Sequence, residues 1–265
     1  MNLAGFSRNE WDLFRALALR DIRKRYTETL LGASWGLLVP LVMLAIYTII
    51  FSEIFKAKWG GLEVAAKTDY AVILFVGLII YGIFAESVAR APSLIVSQPN
   101  LVTKVVFPLR LLPMVAVSTS LYSALVSLVP LLVFLAFSSF GLHLEALLAP
   151  LLLIPTIAFV LGFTFLFASL GVFLRDVDQF AALFARVMQY LTPVLYPSEI
   201  FPEPIRSVMR ASPLAVQVEQ LRDLIVFGKL PDWSDFGVSA VISFLVFLAG
   251  YWWFQRTRRA FADVI

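Results

Sequence analysis

The sequence has no cysteine and only one histidine, His143. Disulfide bonds, thiolate metal sites and iron–sulfur clusters all need cysteine, so each of them is excluded. A metal centre would have to be built from carboxylates alone, and their scattered positions do not indicate one. We therefore expect no metal site, and we interpret His143 as a loop residue near a membrane surface.

Charged residues are also scarce. They make up 15% of the chain, against about 25% in a soluble domain, whereas 60% of the residues are apolar. A soluble fold of this size would leave much apolar surface in water, so we expect a single membrane domain. The lysines and arginines lie between the apolar blocks and do not cluster on one face, which argues against nucleic-acid binding.

Signatures of catalysis are absent from the sequence as well. Lys67 and Thr68 lack the glycine that precedes the lysine in a phosphate-binding loop. We therefore expect no nucleotide hydrolysis by this chain, and no enzymatic activity. Asp176 and Asp178 form a carboxylate pair, but acidic residues favour helix N-termini, so we interpret them as helix-capping residues.

Long apolar windows are what the chain does have. A helix needs about 20 apolar residues to cross a bilayer, where backbone groups must bond one another. Arg186 interrupts the fifth such window, and a charge at that depth costs on the order of 2.5–3.5 kcal/mol, so it should face protein or water. We predict an all-α polytopic membrane protein with six transmembrane helices: 29–55, 70–89, 111–138, 146–174, 178–197 and 235–255.

The distribution of basic residues predicts the orientation. With six spans both termini share one side, and basic residues outnumber acidic ones there, whereas acidic residues predominate on the other side. Cytoplasmic loops are enriched in lysine and arginine, so both termini are predicted to be cytoplasmic. The charged first residues do not resemble a secretory signal peptide, so we expect the first span to act as an uncleaved anchor.

Two segments on the cytoplasmic side have signals of their own. Residues 5–28 contain Ser7 and Glu10 at the spacing of a capping box, followed by apolar residues at helical spacing. We predict an N-terminal amphipathic interface helix there. Residues 90–110 combine prolines with polar side chains, which suits either a docking loop for a soluble partner or a passive connector.

On the outer side, residues 198–233 contain two helix starts, near Pro202 and at Pro213. The second helix places Glu219 and Arg222 on a polar face, and Gly228 is a suitable end. Both helices are too short and too charged to span a membrane. They are either an outer gate or a cap over the bundle.

Aromatic side chains are frequent inside the predicted spans, including Trp35, Tyr47, Phe51 and Tyr81. Packing against lipid explains most of them. Stacking on the apolar face of a sugar ring is the alternative, and it would suit a path for carbohydrate.

Several motifs occur in an order and spacing that resemble one family. They are RDIRKRY at 20–26, then Thr29, Leu31, Gly32, Trp35 and Pro40, PLRLLP at 108–113, FLRDVDQ at 173–179, TPVLYP at 192–197 and SPL at 212–214. Together they resemble the polysaccharide-export branch of ABC transporter permeases, of the O-antigen and teichoic-acid type. The resemblance extends over nearly the whole chain.

This resemblance implies a bacterial inner-membrane permease that works as a homodimer with two copies of a separate nucleotide-binding ATPase. ATP and Mg would be bound by that partner, with no cofactor in this chain. The cargo would be a lipid-linked glycan, moved through a continuous channel between the two protomers and surrounded by membrane lipid, with no nucleic acid involved.

The resemblance also implies roles for individual residues. Coupling to the ATPase would use Ser93, Leu94, Ile95, Val96, Gln98, Pro99 and Asn100. Substrate access would use Arg25, Tyr26 and Trp35. The channel would include Tyr47, Phe51, Tyr81 and Arg186. The outer gate would include Tyr196, Pro197, Pro202, Pro213 and Leu214.

The same pattern leaves other functions open. An ABC permease for teichoic acid, capsule polymer or a drug would have the same topology. A polytopic membrane transferase would need a cluster of histidines or carboxylates at one membrane face, which the sequence does not show. Glu86, near the cytoplasmic end of the second span, has no role that the pattern assigns.

Overall fold

A computed structural model describes residues 8–27, 35–50, 67–103 and 107–265. Within these ranges the chain is helical and contains no β-strand. Short 3₁₀ turns lie at Leu144–Leu148, Ser198–Ile200 and Arg258–Ala260. The α-helices are α1 Arg8–Thr27, α2 Trp35–Thr48, α3 Lys67–Arg90, α4 Ser93–Val96, α5 Pro99–Thr103, α6 Leu111–Phe137, α7 Ala149–Phe173, α8 Val177–Leu191, α9 Glu203–Ala211, α10 Pro213–Phe227, α11 Trp233–Thr257 and α12 Phe261–Val264.

Four helical segments are long and apolar enough to cross a membrane: Asp69–Arg90, Leu111–Phe137, Leu144–Phe173 and Trp233–Val264. The all-α membrane class is therefore confirmed, but the count of six spans is not. The first predicted span, 29–55, is described only in part, and its apolar stretch Leu37–Ile46 is shorter. The fifth, 178–197, corresponds to α8, which has 15 residues and one polar face.

The helices α3 and α7 lie at the centre of the bundle, whereas α6 and α11 expose most of their surface. Gly162 of α7 and Gly250 of α11 meet at backbone contact. A Cβ on Gly162 would lie 2.6 Å from the carbonyl oxygen of Val246, and a Cβ on Gly250 would overlap the backbone of Gly162. Because small residues let helix backbones approach closely, these two glycines set the spacing between α7 and α11.

The bundle has two ends, which we name after the short helices that cover them. At the α4 end, Ile95 packs in one apolar cluster with Phe254 and Phe261, close to the C-terminus. At the α9 end, Asp69 accepts hydrogen bonds from the backbone N–H (2.9 Å) and hydroxyl (2.7 Å) of Ser139. These contacts fix the loops of each end to the spans they connect.

The predicted interface helix 5–28 is described from Arg8 to Thr27 as α1, and residues 5–7 and 28 lie outside the described residues. Its inner face packs on the first turns of α6. Arg110, just before α6, donates to both carboxylate oxygens of Glu10 at 2.9 and 2.8 Å. Burial lowers the pKa of Arg110, but hydrogen bonds to Tyr251 and Glu10 raise it above its usual value, so the guanidinium stays charged.

The two helices expected in 198–233 are confirmed as α9 and α10. Pro202 directly precedes α9, Pro213 is the first residue of α10, and α10 ends before Gly228, whose φ is 62°. Only glycine adopts this left-handed conformation without strain. The ring of His143 packs on Gly228, and its Nε2 lies 3.2 Å from the carbonyl oxygen of Val226, so this loop histidine closes the end of α10.

Arg222 departs from the sequence-based expectation. It was placed on a polar face of α10, but it is 2% exposed. Its Nε donates to the carbonyl oxygen of Ile73 and its Nη2 to that of Val194, both at 3.1 Å. The prediction was wrong because helical spacing shows only which residues share a face of α10. It does not show that backbone acceptors of α3 lie opposite that face.

Candidate functional site

A cleft of about 570 Å³ opens between α2, α3 and α6, near the C-terminal end of α1. Arg25 and Glu86 lie at its mouth, towards the α4 end, and Trp35 lies on the α2 side. The rest of the wall is mostly apolar and includes Val39, Met43, Phe75, Leu78, Ile79 and Ile83. The cleft therefore joins a charged opening to an apolar interior at the depth of the spans.

An adjoining cavity of about 420 Å³ is lined by five charged residues, which we call the mouth cluster: Asp21, Lys24, Arg25, Glu86 and Arg90. Three cations and two carboxylates give this cluster a formal charge of +1. It shares Arg25 and Glu86 with the cleft. A net positive opening next to an apolar cleft suits a ligand with an anionic group and an apolar tail.

Ion pairs hold the mouth cluster together across three helices. Arg25 of α1 pairs with Glu86 of α3, and its Nη1 also donates to the hydroxyl of Ser123 in α6 at 2.8 Å. Arg90 donates to the carboxylate of Asp21 at 3.0 Å. These four charged side chains are 21% to 39% exposed. Partly solvated pairs contribute little stability, so the arginines can exchange a carboxylate for another anion at low cost.

Hydroxyl groups continue from the mouth into the cleft along α6. Ser120, Ser123 and Ser127 have helical spacing and all line the cleft. Each donates to the backbone carbonyl four residues earlier, at 3.2, 3.1 and 2.9 Å. The oxygens of Ser120 and Ser123 already accept one hydrogen bond each, from Ser87 and Arg25, and the second lone pair of a hydroxyl oxygen can accept another from a ligand.

The predicted coupling residues divide into an inner and an outer set. Ile95 is fully buried, and the entire turn sits close to α7, since a Cβ on Gly171 would overlap the backbone of Pro92. Leu94 and Gln98 are partly buried. The outer set is exposed and consists of Ser93, Val96, Pro99 and Asn100.

The predicted access and channel residues are described only in part. Arg25 and Trp35 line the cleft together. Phe51 lies outside the described residues, and Tyr26 and Tyr47 belong to α1 and α2 at positions whose side chains are not among those described. Their assigned roles stay predictions.

Two further channel predictions fall on or against α8. Tyr81 is buried inside the protomer and donates a hydrogen bond to the carbonyl oxygen of Ala185. Arg186 is exposed on the outer side of α8, next to the exposed side chains of Leu183 and Val187. The two residues therefore face in different directions, one into the protomer and one away from it.

The predicted gate residues lie close to one another at the α9 end. Tyr196 donates to the carbonyl oxygen of Tyr190, which closes the turn after α8. Pro197, Pro213 and Leu214 are buried. Most of these residues therefore pack beneath the short helices at this end. The surface exposed at the α9 end belongs mainly to α9.

Sequence reasoning missed most of the mouth cluster. Asp21 and Lys24 were considered only for the orientation and as part of the RDIRKRY motif, Arg90 only for the orientation and as the start of the loop 90–110, and Glu86 was left without a role. One signal was available in the sequence. The C-terminal ends of α1 and α3 both contain charges of opposite sign, and a six-span topology places these two ends on the same side of the membrane. The serine spacing along α6 was also visible, but nothing local showed which helix it faces.

These features define a helical membrane bundle with a charged mouth, an apolar cleft and short helices at both ends. Within the described ranges, no group of three or more His, Asp or Glu side chains is placed to hold a metal ion. The chain belongs to the ABC-2 type transporter family, whose model matches residues 12–226. Membership of a transporter family fits a non-enzymatic transport role.

Known relatives are similar along almost the full length. The O-antigen export system permease protein RfbA of Klebsiella pneumoniae is 26% identical over 256 residues, which cover 96% of this chain and 95% of that protein. The protein of the same name from Myxococcus xanthus is 28% identical over 256 residues, with the same coverage. The resemblance to polysaccharide-export permeases drawn from the motifs is thereby confirmed.

Proposed function

We propose that this chain is the transmembrane permease subunit of an ABC exporter that moves lipid-linked polysaccharide, similar to O-antigen, across the bacterial inner membrane. Family membership and the names of its relatives support this function. The observation that carries it is the mouth cluster, a net positive group of side chains at the opening of an apolar cleft.

The chemistry of such a cargo matches the cleft in three parts. A phosphate links the lipid to the glycan, and the guanidinium groups of Arg25 and Arg90 suit phosphate oxygens. The lipid chain fits the apolar wall, while sugar hydroxyls can donate to the serines of α6. The aromatic ring of Trp35 offers a surface for the apolar face of a sugar.

The energy is supplied by a partner in this proposal. Two permease copies form a homodimer with two nucleotide-binding ATPase subunits, which bind ATP and Mg, while this chain holds no cofactor. The exposed residues of α4 and α5 contact the ATPase, so both chain termini are cytoplasmic. A nearly complete switch between two states needs about 5.5 kcal/mol of differential binding, which nucleotide binding can supply.

Movement passes from α4 into the bundle because of how α4 is held. Ile95 is packed against α7 and α11, and Pro92 lies against Gly171. A push on the exposed face of α4 therefore displaces these long helices and not the short turn alone. The exposed face of α8, with Arg186, lies against the second protomer along the channel.

The role of the mouth cluster is tested by replacing one arginine and one carboxylate of the cluster in two separate variants. Arg25→Gln removes the group that binds phosphate, and a lost charge-assisted hydrogen bond of about 1.5–3 kcal/mol predicts a decrease in export of roughly tenfold or more. Glu86→Gln leaves the guanidinium in place and should keep export near normal. Surface polysaccharide in a strain dependent on this permease is the measurement, with membrane abundance checked for each variant.

Arg15→Ala is the matched control, since it removes an exposed arginine of the same helix outside the cleft. Equal loss of export in Arg25→Gln and Glu86→Gln would mean that the pair only supports the structure. The cargo alternatives are teichoic acid, capsule polymer or a drug. They are separated by identifying which compound, lipid-linked or free, accumulates in the cell when Arg25→Gln is expressed.

A further inference from the structure

A third cavity, with many polar side chains in its lining, lies at the α9 end, far from the mouth cluster. It is formed by α9, α10 and the first turns of α11. Its volume is about 520 Å³. Part of its lining is apolar and includes Pro213, Val216, Val238 and Ile242. The same helices and the loops beside them add cations, carboxylates and an amide, among them Arg210, Gln220, Lys229 and Asp235. We call this cavity the outer groove.

Buried polar atoms without a partner occur along α10, the helix that forms one side of the outer groove. Native proteins satisfy about 90% or more of their buried polar groups, so each exception requires a reason. Along α10 and the residue before it, the oxygens Ser212 Oγ, Gln217 Oε1 and Gln220 Oε1 are buried and have no partner among the described residues. The helix thus offers more hydrogen-bonding capacity than the protein itself uses.

Gln220 is the one of these three that lines the groove. Its Nε2 donates to the carbonyl oxygen of Asp232 at 3.1 Å. Turning the amide over would break this bond and place Oε1 against the carbonyl oxygen of Asp232, and two acceptors cannot form a hydrogen bond. The orientation is therefore fixed, and Oε1 is left as a buried acceptor without a partner beside the groove.

The chemical character of the lining indicates which class of ligand fits the outer groove. It presents donors and acceptors side by side, and its three cations and four carboxylates give a formal charge of −1, so it does not favour a polyanion. No three carboxylates are placed to hold a metal ion in the part of the chain that the structure describes. A sugar ring fits this mixture, because its hydroxyls both donate and accept while its C–H face can pack on the apolar side chains.

We propose that the outer groove binds a segment of the glycan on the far side of the membrane, after it has crossed. This inference rests on the proposed export function and adds a second glycan site to it. A sugar segment held by Gln220 and its neighbours cannot slide back while the next segment moves, so the groove gives stepwise export its direction.

The native chain has no cysteine, so a single introduced thiol reports on the groove without background. Val238→Cys places a thiol at a groove residue that is 59% exposed. Leu144→Cys, at 83% exposed, places one on the same end outside the groove. The full-length protein in lipid nanodiscs is labelled with a water-soluble maleimide, with and without the host's own surface polysaccharide released from its lipid by mild acid.

The released polysaccharide should slow labelling of Val238→Cys at least fivefold and leave Leu144→Cys unchanged. Polyethylene glycol of the same hydrodynamic size should slow neither. Adding Gln220→Met to Val238→Cys should raise the half-protecting polysaccharide concentration at least fivefold, whereas Gln179→Met, at an exposed site on the α4 end, should not.

Unchanged labelling of Val238→Cys, equal slowing by polyethylene glycol, or equal effects of the two glutamine variants would each overturn the assignment. The assay needs neither the ATPase nor Arg25. A negative result together with export that depends on Arg25 would therefore remove the outer groove and leave the proposed export function intact.

Discussion

Arg222 and Gly77 act together to hold α10 in place. A buried charge is stable only if its hydrogen bonds are satisfied, and Arg222 reaches carbonyl oxygens on both α3 and the turn after α8. Gly77 provides the space, because a Cβ there would overlap the guanidinium. The helix α10 is thus a fixed part of the bundle, whereas Met209 is the one buried residue of α9.

Replacing Gly77 by alanine should therefore destabilise the protein. The new methyl group displaces the guanidinium from its acceptors, and leaving a buried polar group unsatisfied costs about 1–3 kcal/mol. We expect the unfolding midpoint in detergent, measured by intrinsic fluorescence, to fall by several degrees. Gly82→Ala is the control on the same helix, since no atom lies within 4 Å of a Cβ built there. Equal midpoints for the two variants would contradict this account.

The helix α4 shows how a single turn can be both fixed and available. Four residues cannot form a stable helix alone. Ile95 holds the turn by packing against Phe165 and Phe254, while Val96 points outward and is 46% exposed. The inner residue therefore serves the fold, and the outer residue serves contact with the proposed ATPase.

Adjacent substitutions in α4 should have different effects. Ile95→Asp buries a charge without a partner and should lower the amount of folded permease in the membrane. Val96→Asp should leave folding unchanged and reduce transport-coupled ATP hydrolysis by the complex, because it places a charge in the contact with the ATPase. Co-purification of the ATPase with each variant is the direct measurement. Normal coupling in Val96→Asp would contradict the proposed role of this turn.

The exposed surface of α8 joins a row of apolar side chains to the polar face that contains Arg186. Phe180, Leu183, Val187 and Tyr190 are 46% to 64% exposed, and Arg186 lies among them. Lipid would solvate the apolar residues, but a charge on a lipid-facing surface costs on the order of 2.5–3.5 kcal/mol. The proposed homodimer, with a polar path between its protomers, would accommodate both.

The proposed dimer can be tested by cross-linking, again because the chain has no cysteine. Leu183→Cys on α8 should form a disulfide-linked dimer when membranes are oxidised. Leu245→Cys on α11 has similar exposure, 59% against 58%, and should remain monomeric on a non-reducing gel. Cross-linking only through α11 would place the dimer contact on the opposite face.

Local patterns were enough to predict the membrane class and the short helices. Apolar windows, Pro202, Pro213 and Gly228 act through burial in lipid or through backbone conformation, and both are properties of neighbouring residues along the chain. The same patterns predicted the amphipathic helix α1. They did not establish the number of spans. The helix α8 is short and has a polar face, so the local pattern does not determine whether it crosses the membrane.

The mouth cluster and the Arg222 contact could not be obtained in this way. Arg25 and Glu86 are 61 positions apart in the chain, and Arg222 and Ile73 are 149 apart. Helical periodicity tells which side chains share a face, but the partner of that face depends on how the helices pack. Only the folded bundle brings opposite charges to the mouth of the cleft and turns an apparently exposed arginine inward.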